Sequence, residues 1–251
     1  MKKLIENLAI TLTFFSRFPL PKSLSNYINH DTKLSNAAHF FPIAGFIIAI
    51  PTALIWYITS LYLPTTIAAG LAIGASLLIT GGLHEDGFAD CADGLGATPD
   101  KTRALEIMRD SRIGTYGSLA LILSVGLRWA ALATLSPILG VFALLICHSG
   151  ARSIMTIAMQ FSKYVREDGL GKQAKEIKPS AFIISMGLAF IIAIIFGGYS
   201  GFIALALAIL TAWLFLKRLE QRINGYTGDG LGAMEQISEI TILITLAGVW
   251  S

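Results

Sequence analysis

A chain of 251 residues that is 54% hydrophobic and 14% charged, with a mean hydropathy of +0.67, is too apolar for an ordinary water-soluble domain. Its 19 Lys and Arg against 16 Asp and Glu leave a net charge of +3, and the basic residues fall between apolar runs rather than in one stripe, so nucleic-acid binding has no support. Two cysteines, Cys91 and Cys147, with neither paired spacing nor a histidine cluster beside them, point to no disulfide framework and no zinc site.

The stretch up to Phe15 starts with Lys2 and Lys3, is interrupted by Glu6 and Asn7, and is followed by no small-residue cleavage site; it is predicted as a retained interfacial helix. Spanning a hydrocarbon core of about 30 Å takes roughly 20 apolar helical residues. Seven runs approach that length, at 41–62, 65–83, 115–135, 138–159, 180–197, 199–216 and 236–251. Backbone groups in lipid must bond within their own segment, so the fold class is all-α: a polytopic transmembrane helix bundle, one domain over residues 1–251.

The connections give the orientation. Turns at 61–65, 136–137 and 197–201 are short and uncharged, whereas the other loops are basic. These carry Arg17, Lys22 and Lys33; Lys101, Arg103, Arg109 and Arg112; Lys163, Arg166, Lys172, Lys175 and Lys178; and Lys217, Arg218 and Arg222. The positive-inside tendency places the basic loops in the cytoplasm and the C-terminus outside.

Directly after the second run, Gly81 to Gly96 holds Glu85, Asp86, Asp90 and Asp93. If helix continues past Gly82, residues 86, 90 and 93 share one face at i, i+4 and i+7, and like charges stacked there repel. A divalent cation removes the conflict, and hard carboxylate ligands favour magnesium. Gly87 and Gly94 leave one side without bulk, open to a phosphate or to another helix. An acidic loop in water, or an acidic helix start, is the competing reading.

Arg109 to Gly117 precedes the third run. Arg109 and Arg112 suit bidentate phosphate binding, with Asp110 orienting one of them or joining the metal shell; a basic flank with a helix-start aspartate explains the segment equally well. Asn224 to Ala233 is a glycine-rich turn that delivers Asp229 as ligand or general base, or merely as a helix cap. Within the spans, Arg128, His148 and Arg152 are expected to face the bundle interior, Arg152 as a phosphate-binding candidate and Arg128 as a structural ion-pair partner. His39 and His148 read as core histidines.

These segments, with Phe14-Phe15-Ser16-Arg17-Phe18-Pro19 and Phe41-Pro42-Ile43-Ala44-Gly45, resemble the cobalamin synthase (adenosylcobinamide-GDP ribazoletransferase) family over essentially the whole chain. The resemblance implies a magnesium-dependent phosphotransferase of the bacterial inner membrane, its site facing the cytoplasm. It would join adenosylcobinamide-GDP to α-ribazole or α-ribazole 5′-phosphate, with release of GMP. The combined reading assigns Asp93, Asp229 and Asp110 to catalysis and Glu85, Asp86, Asp90 and Asp93 to the metal. It assigns Arg109, Arg112, Arg152, Asn224, Gly87 and Gly94 to substrate, and leaves a homo-oligomer open. A looser likeness to CDP-alcohol phosphotransferases runs through Asp90, Asp93 and Gly94, but Thr98 stands where that motif has arginine. A phospholipid-synthesis enzyme and, further off, a cation transporter are the alternatives.

Overall fold

The structure is a computed structural model that describes residues 2–19, 33–166 and 177–250, and nine α-helices among them. They are α1 (Lys2–Phe15), α2 (Phe41–Ser60, entered through a 3-10 helix, Leu34–Phe40), α3 (Thr65–Thr80), α4 (Leu83–Ala97) and α5 (Lys101–Ile107). Then follow α6 (Thr115–Ala133), α7 (Pro137–Phe161), α8 (Pro179–Ile223) and α9 (Gly228–Trp250). Prolines open α2, α7 and α8, where the missing N–H has no intrahelical acceptor to lose. The predicted loop positions Lys22, Lys172 and Lys175 lie outside the described residues.

Five helices are long and apolar enough to cross a membrane, or six if α3 and α4 form one broken span. At about 1.5 Å per residue, α8 would be twice as long as a bilayer core if it were straight. It folds back instead at Gly198 (φ 55, ψ −134). Phe190 and Phe202 come to 5.5 Å between ring centroids, and Phe161 of α7 touches both Phe182 and Trp213, which only two antiparallel arms allow. Close packing of Gly201 on the Ala193 carbonyl leaves no room for a Cβ at the turn. The two arms match the separate runs predicted at 180–197 and 199–216.

Helix α7 runs through the centre, buried along most of its length, with α2, α8 and α9 against it. Outward-facing Leu78, Ile122, Ile195 and Leu214 present the apolar surface that lipid requires. The chain is thus an all-α, multi-pass membrane bundle. Helix α5 was not foreseen; its seven residues were read as basic loop, but Asp100 caps it by accepting the Arg103 N–H at 2.7 Å.

Candidate active site at the crossing of α4 and α9

Helix α3 ends in two successive left-handed residues, Gly81 (φ 70) and Gly82 (φ 69), a conformation that glycine adopts without steric cost. They turn the chain by 90°, so α4 does not continue the direction of α3. The N-terminus of α9 crosses α4 almost backbone to backbone: a Cβ on Gly87 would stand 2.9 Å from Asp229 Cα, and one on Gly232 would stand 3.1 Å from the His84 carbonyl oxygen. Side chains larger than hydrogen would push the helices apart and carry Asp229 away from Asp86 and Asp90. Thr227, not Asp229, caps α9, its hydroxyl accepting the Gly230 N–H at 3.0 Å, so the Asp229 carboxylate is left for other work.

A short parallel bridge brings in one more residue. Val165 donates to the Tyr226 carbonyl (3.0 Å) and Tyr226 to that of Lys163 (2.8 Å), which sets Arg166 beside Asp229 with Nη1 2.8 Å from Oδ2. Arg166 entered the sequence reading only as loop charge; no spacing along the chain could show that residues 166 and 229 meet.

Three recesses share Asp86. One of ≈ 200 Å³ is lined by His84, Tyr164, Arg166 and Asp229; another of ≈ 310 Å³ by Asp90, Arg109, Asp110 and Ser111; a third of ≈ 480 Å³ by Ser16, Arg17 and Gly82. Burial first, then the Asp229 and Asp86 carboxylates, pushes the Asp90 carboxyl up to about 7. Asp86, Asp90 and Asp229 are hard oxygen donors that repel one another, two of them half-buried, a charge that suits a divalent cation, although their oxygens are not gathered within 4.8 Å of one another as the donor atoms of a second cluster deeper in the bundle are. Below about pH 7 the proton on Asp90 competes with a cation, and above it the carboxylate is ready. Mn2+ binding to the detergent-solubilised protein is therefore expected to weaken about tenfold per pH unit below about 7 and to level off above. Electron paramagnetic resonance of free Mn2+ measures this; a flat affinity would take Asp90 out of the cation set.

The other predicted residues are placed differently. Both Asp93 oxygens accept backbone N–H groups, from Gly114 (2.7 Å) and Gly117 (2.8 Å), so this carboxylate latches the start of α6 to α4 and is not directed at the recess. Glu85 points into the bundle, where it pairs with Arg128. Arg152 is fully buried on Glu235 and Glu239 and lines none of the three recesses. Exposed Arg112 grips Asp110, and its hydrogen bonds hold that carboxyl down to about 2, too acidic for a base at neutral pH. Asn224 ends α8 in the left-handed conformation (φ 64). Gly87 and Gly94 do serve close approach, but to helices: Gly94 faces Met108 and the Ala104 carbonyl of the α5 region.

Beneath the crossing lies a buried ionic network. Arg128 bridges Glu239 (2.7 Å) and Glu85 (2.9 Å); Arg152 meets Glu235 at 3.0 Å; His148 contacts Glu239 at 2.7 Å and His84 contacts Glu235 at 3.3 Å. Gln236 donates to Glu85 and Glu235 and accepts from Ser124. His148, Glu235 and Glu239 bring donor atoms within 4.8 Å of one another, a set that could hold a metal. With two guanidiniums already on those carboxylates, a cation there would be repelled, so the network reads as structural. Of its acids, Glu85 is assigned to the metal by the sequence, Glu235 falls just before the run expected at 236–251, and Glu239, inside that run, is not singled out. Two glutamates one turn apart in an apolar helix, opposite arginines in two others, were the available signal.

Fold and recess together define a multi-pass helical membrane protein in which carboxylates and guanidiniums face one another at one end of the bundle. The sequence model of the family described as Cobalamin-5-phosphate synthase matches residues 7–247, and the chain belongs to that family. Among its relatives, a protein named adenosylcobinamide-GDP ribazoletransferase from Shewanella amazonensis is 36% identical, covering 100% of this chain and 98% of the relative. Proteins of that name from Sinorhizobium medicae (36% identical, 96% of both chains) and Bradyrhizobium diazoefficiens (38%, 98% of this chain and 95% of the relative) are similar to the same extent. No solved structure matches the chain.

Proposed function

We propose that the protein is an adenosylcobinamide-GDP ribazoletransferase that works with magnesium at the crossing of α4 and α9. A hydroxyl of α-ribazole, or of its 5′-phosphate, attacks the cobinamide-side phosphorus of adenosylcobinamide-GDP. The phosphoanhydride bond breaks, GMP leaves, and adenosylcobalamin or its 5′-phosphate forms. The observation that carries this reading is the meeting of three recesses at Asp86: three groups, nucleotide, corrinoid and ribazole, must reach one phosphorus atom.

Asp86, Asp90 and Asp229 would hold the magnesium, which when bound neutralises pyrophosphate charge. Arg166 and Arg109, each lining a different recess that contains Asp86, share the charge on the phosphate oxygens. Asp90, pushed up to about 7, is matched to receive a hydroxyl proton near neutral pH when it is not a ligand. The bacterial inner membrane, with the crossing on the cytoplasmic side, is supported by the bases around that end, Arg17, Arg109, Arg112 and Arg222. A transporter is disfavoured, because Glu85, Glu235 and Glu239, buried in the bundle, are already paired with arginine or histidine.

Protein in liposomes, given magnesium, adenosylcobinamide-GDP and α-ribazole, is expected to release GMP in proportion to the cobalamin formed. Silence in that assay, while a relative of established activity responds, would remove the assignment.

A further inference from the structure

Arg166 spends little of its hydrogen-bonding capacity. The side chain is 11% exposed, and only Nη1 approaches an acid, Asp229; Nε and Nη2 are buried without a hydrogen-bond partner among the described residues. Asp229 Oδ2 also lacks an aligned hydrogen bond, so the 2.8 Å contact is one of charge more than of direction. Leaving guanidinium N–H groups unmet away from water is unfavourable, which makes this a poor resting arrangement for an arginine of purely structural use. The same recess holds Asp86 and opens on Gly228 at the start of α9.

We propose that Arg166 is a phosphate-anchoring residue held in reserve by Asp229. In the cation-free protein its guanidinium neutralises Asp229. When Asp229 turns to a divalent cation, Arg166 is released to bind the phosphates of the nucleotide substrate through Nε and Nη2, the fork geometry that arginine offers to phosphate. Only side chains need rotate, because the Tyr164–Tyr226 bridge fixes both backbones and Thr227 keeps α9 capped without Asp229. The charge balance agrees: a dication among Asp86, Asp90 and Asp229 replaces the neutralisation Arg166 had supplied. Cation and nucleotide then bind cooperatively, since each removes the partner that occupies the other's site.

This inference rests on the functional reading above, and its test separates the two. Arg166→Gln in the full-length protein is expected to bind Mn2+ about tenfold more tightly in paramagnetic resonance titrations without substrate, having lost a competing cation. It is expected to bind GDP, measured by calorimetry with Ca2+ present, about tenfold more weakly, having lost a phosphate partner. Arg166→Lys should keep near-native Mn2+ affinity and recover part of the GDP affinity. Asp229→Asn should tighten GDP binding in EDTA, because Arg166 is then free from the outset, and it serves as the deciding variant if Arg166→Gln does not fold. A purely structural ion pair predicts that both affinities fall together or that neither moves, and either result overturns the proposal. Failure of the wild type to release GMP would sink the functional reading alone, and the Mn2+ titration would still judge the exchange.

Discussion

Arg128→Met is expected to destabilise the folded bundle by about 3–5 kcal/mol, measured as a loss of thermal stability in detergent and of yield in the membrane. The side chain is 1% exposed and links three helices: α6, which carries it, α4 through Glu85 and α9 through Glu239. Methionine has comparable volume, so packing is largely kept and the loss comes from Glu85 left buried without a counter-charge and from Glu239 left with only Arg152 and His148. That account has its own check. Arg128→Met combined with Glu85→Gln should recover part of the loss, because one orphaned charge is gone while a hydrogen-bonding amide remains for Gln236. If the double variant is no better than the single one, the cost lies in shape and not in charge.

The network also explains why one helix boundary was hidden. Apolar length alone located α2, α3, α6 and α7 within a few residues, because a span must satisfy its own backbone and lipid tolerates few charges. The same rule cut the last run short at 236, since Glu235 looked like the end of the apolar stretch. In the structure α9 starts at Gly228, and Glu235 and Glu239 lie within it, stabilised by arginines that the chain places about a hundred residues earlier. Partners distant in sequence leave no periodicity to read. The Gly197–Gly201 turn, by contrast, was legible, because glycine frees the backbone where one arm of α8 doubles back on the other.

The site divides along the same line. That α4 is helical and acidic followed from local spacing, but which acids share the recess depended on what lies across from each. Asp93 was indistinguishable from Asp90 in sequence; the start of α6 happens to present two N–H groups to it and to none of the others. Glu85, one residue from Asp86, falls on the opposite face and serves the bundle. The small residues were read as open to a phosphate or a helix, and at Gly87 and Gly94 the structure places helices. This is what brings Asp229 to the crossing, a contact between segments more than a hundred residues apart.

Asp90→Asn should separate activity from stability. The substitution keeps size and removes one negative charge from a group that burial, Asp229 and Asp86 all make costly to ionise. The cation-free variant should therefore melt at the same temperature as the wild type or higher, since repulsion at the crossing is relieved. Turnover should move the other way. If Asp90 supplies charge to the reacting phosphate through a cation, or takes the hydroxyl proton, GMP release should fall by about 10²–10³-fold or more, and the pH dependence of Mn2+ binding should flatten. Opposite movements of melting temperature and rate are the mark of a strained functional group, and a structural acid would lower both. Retained turnover would exclude Asp90 from the reaction, and a lowered melting temperature would return it to the scaffold.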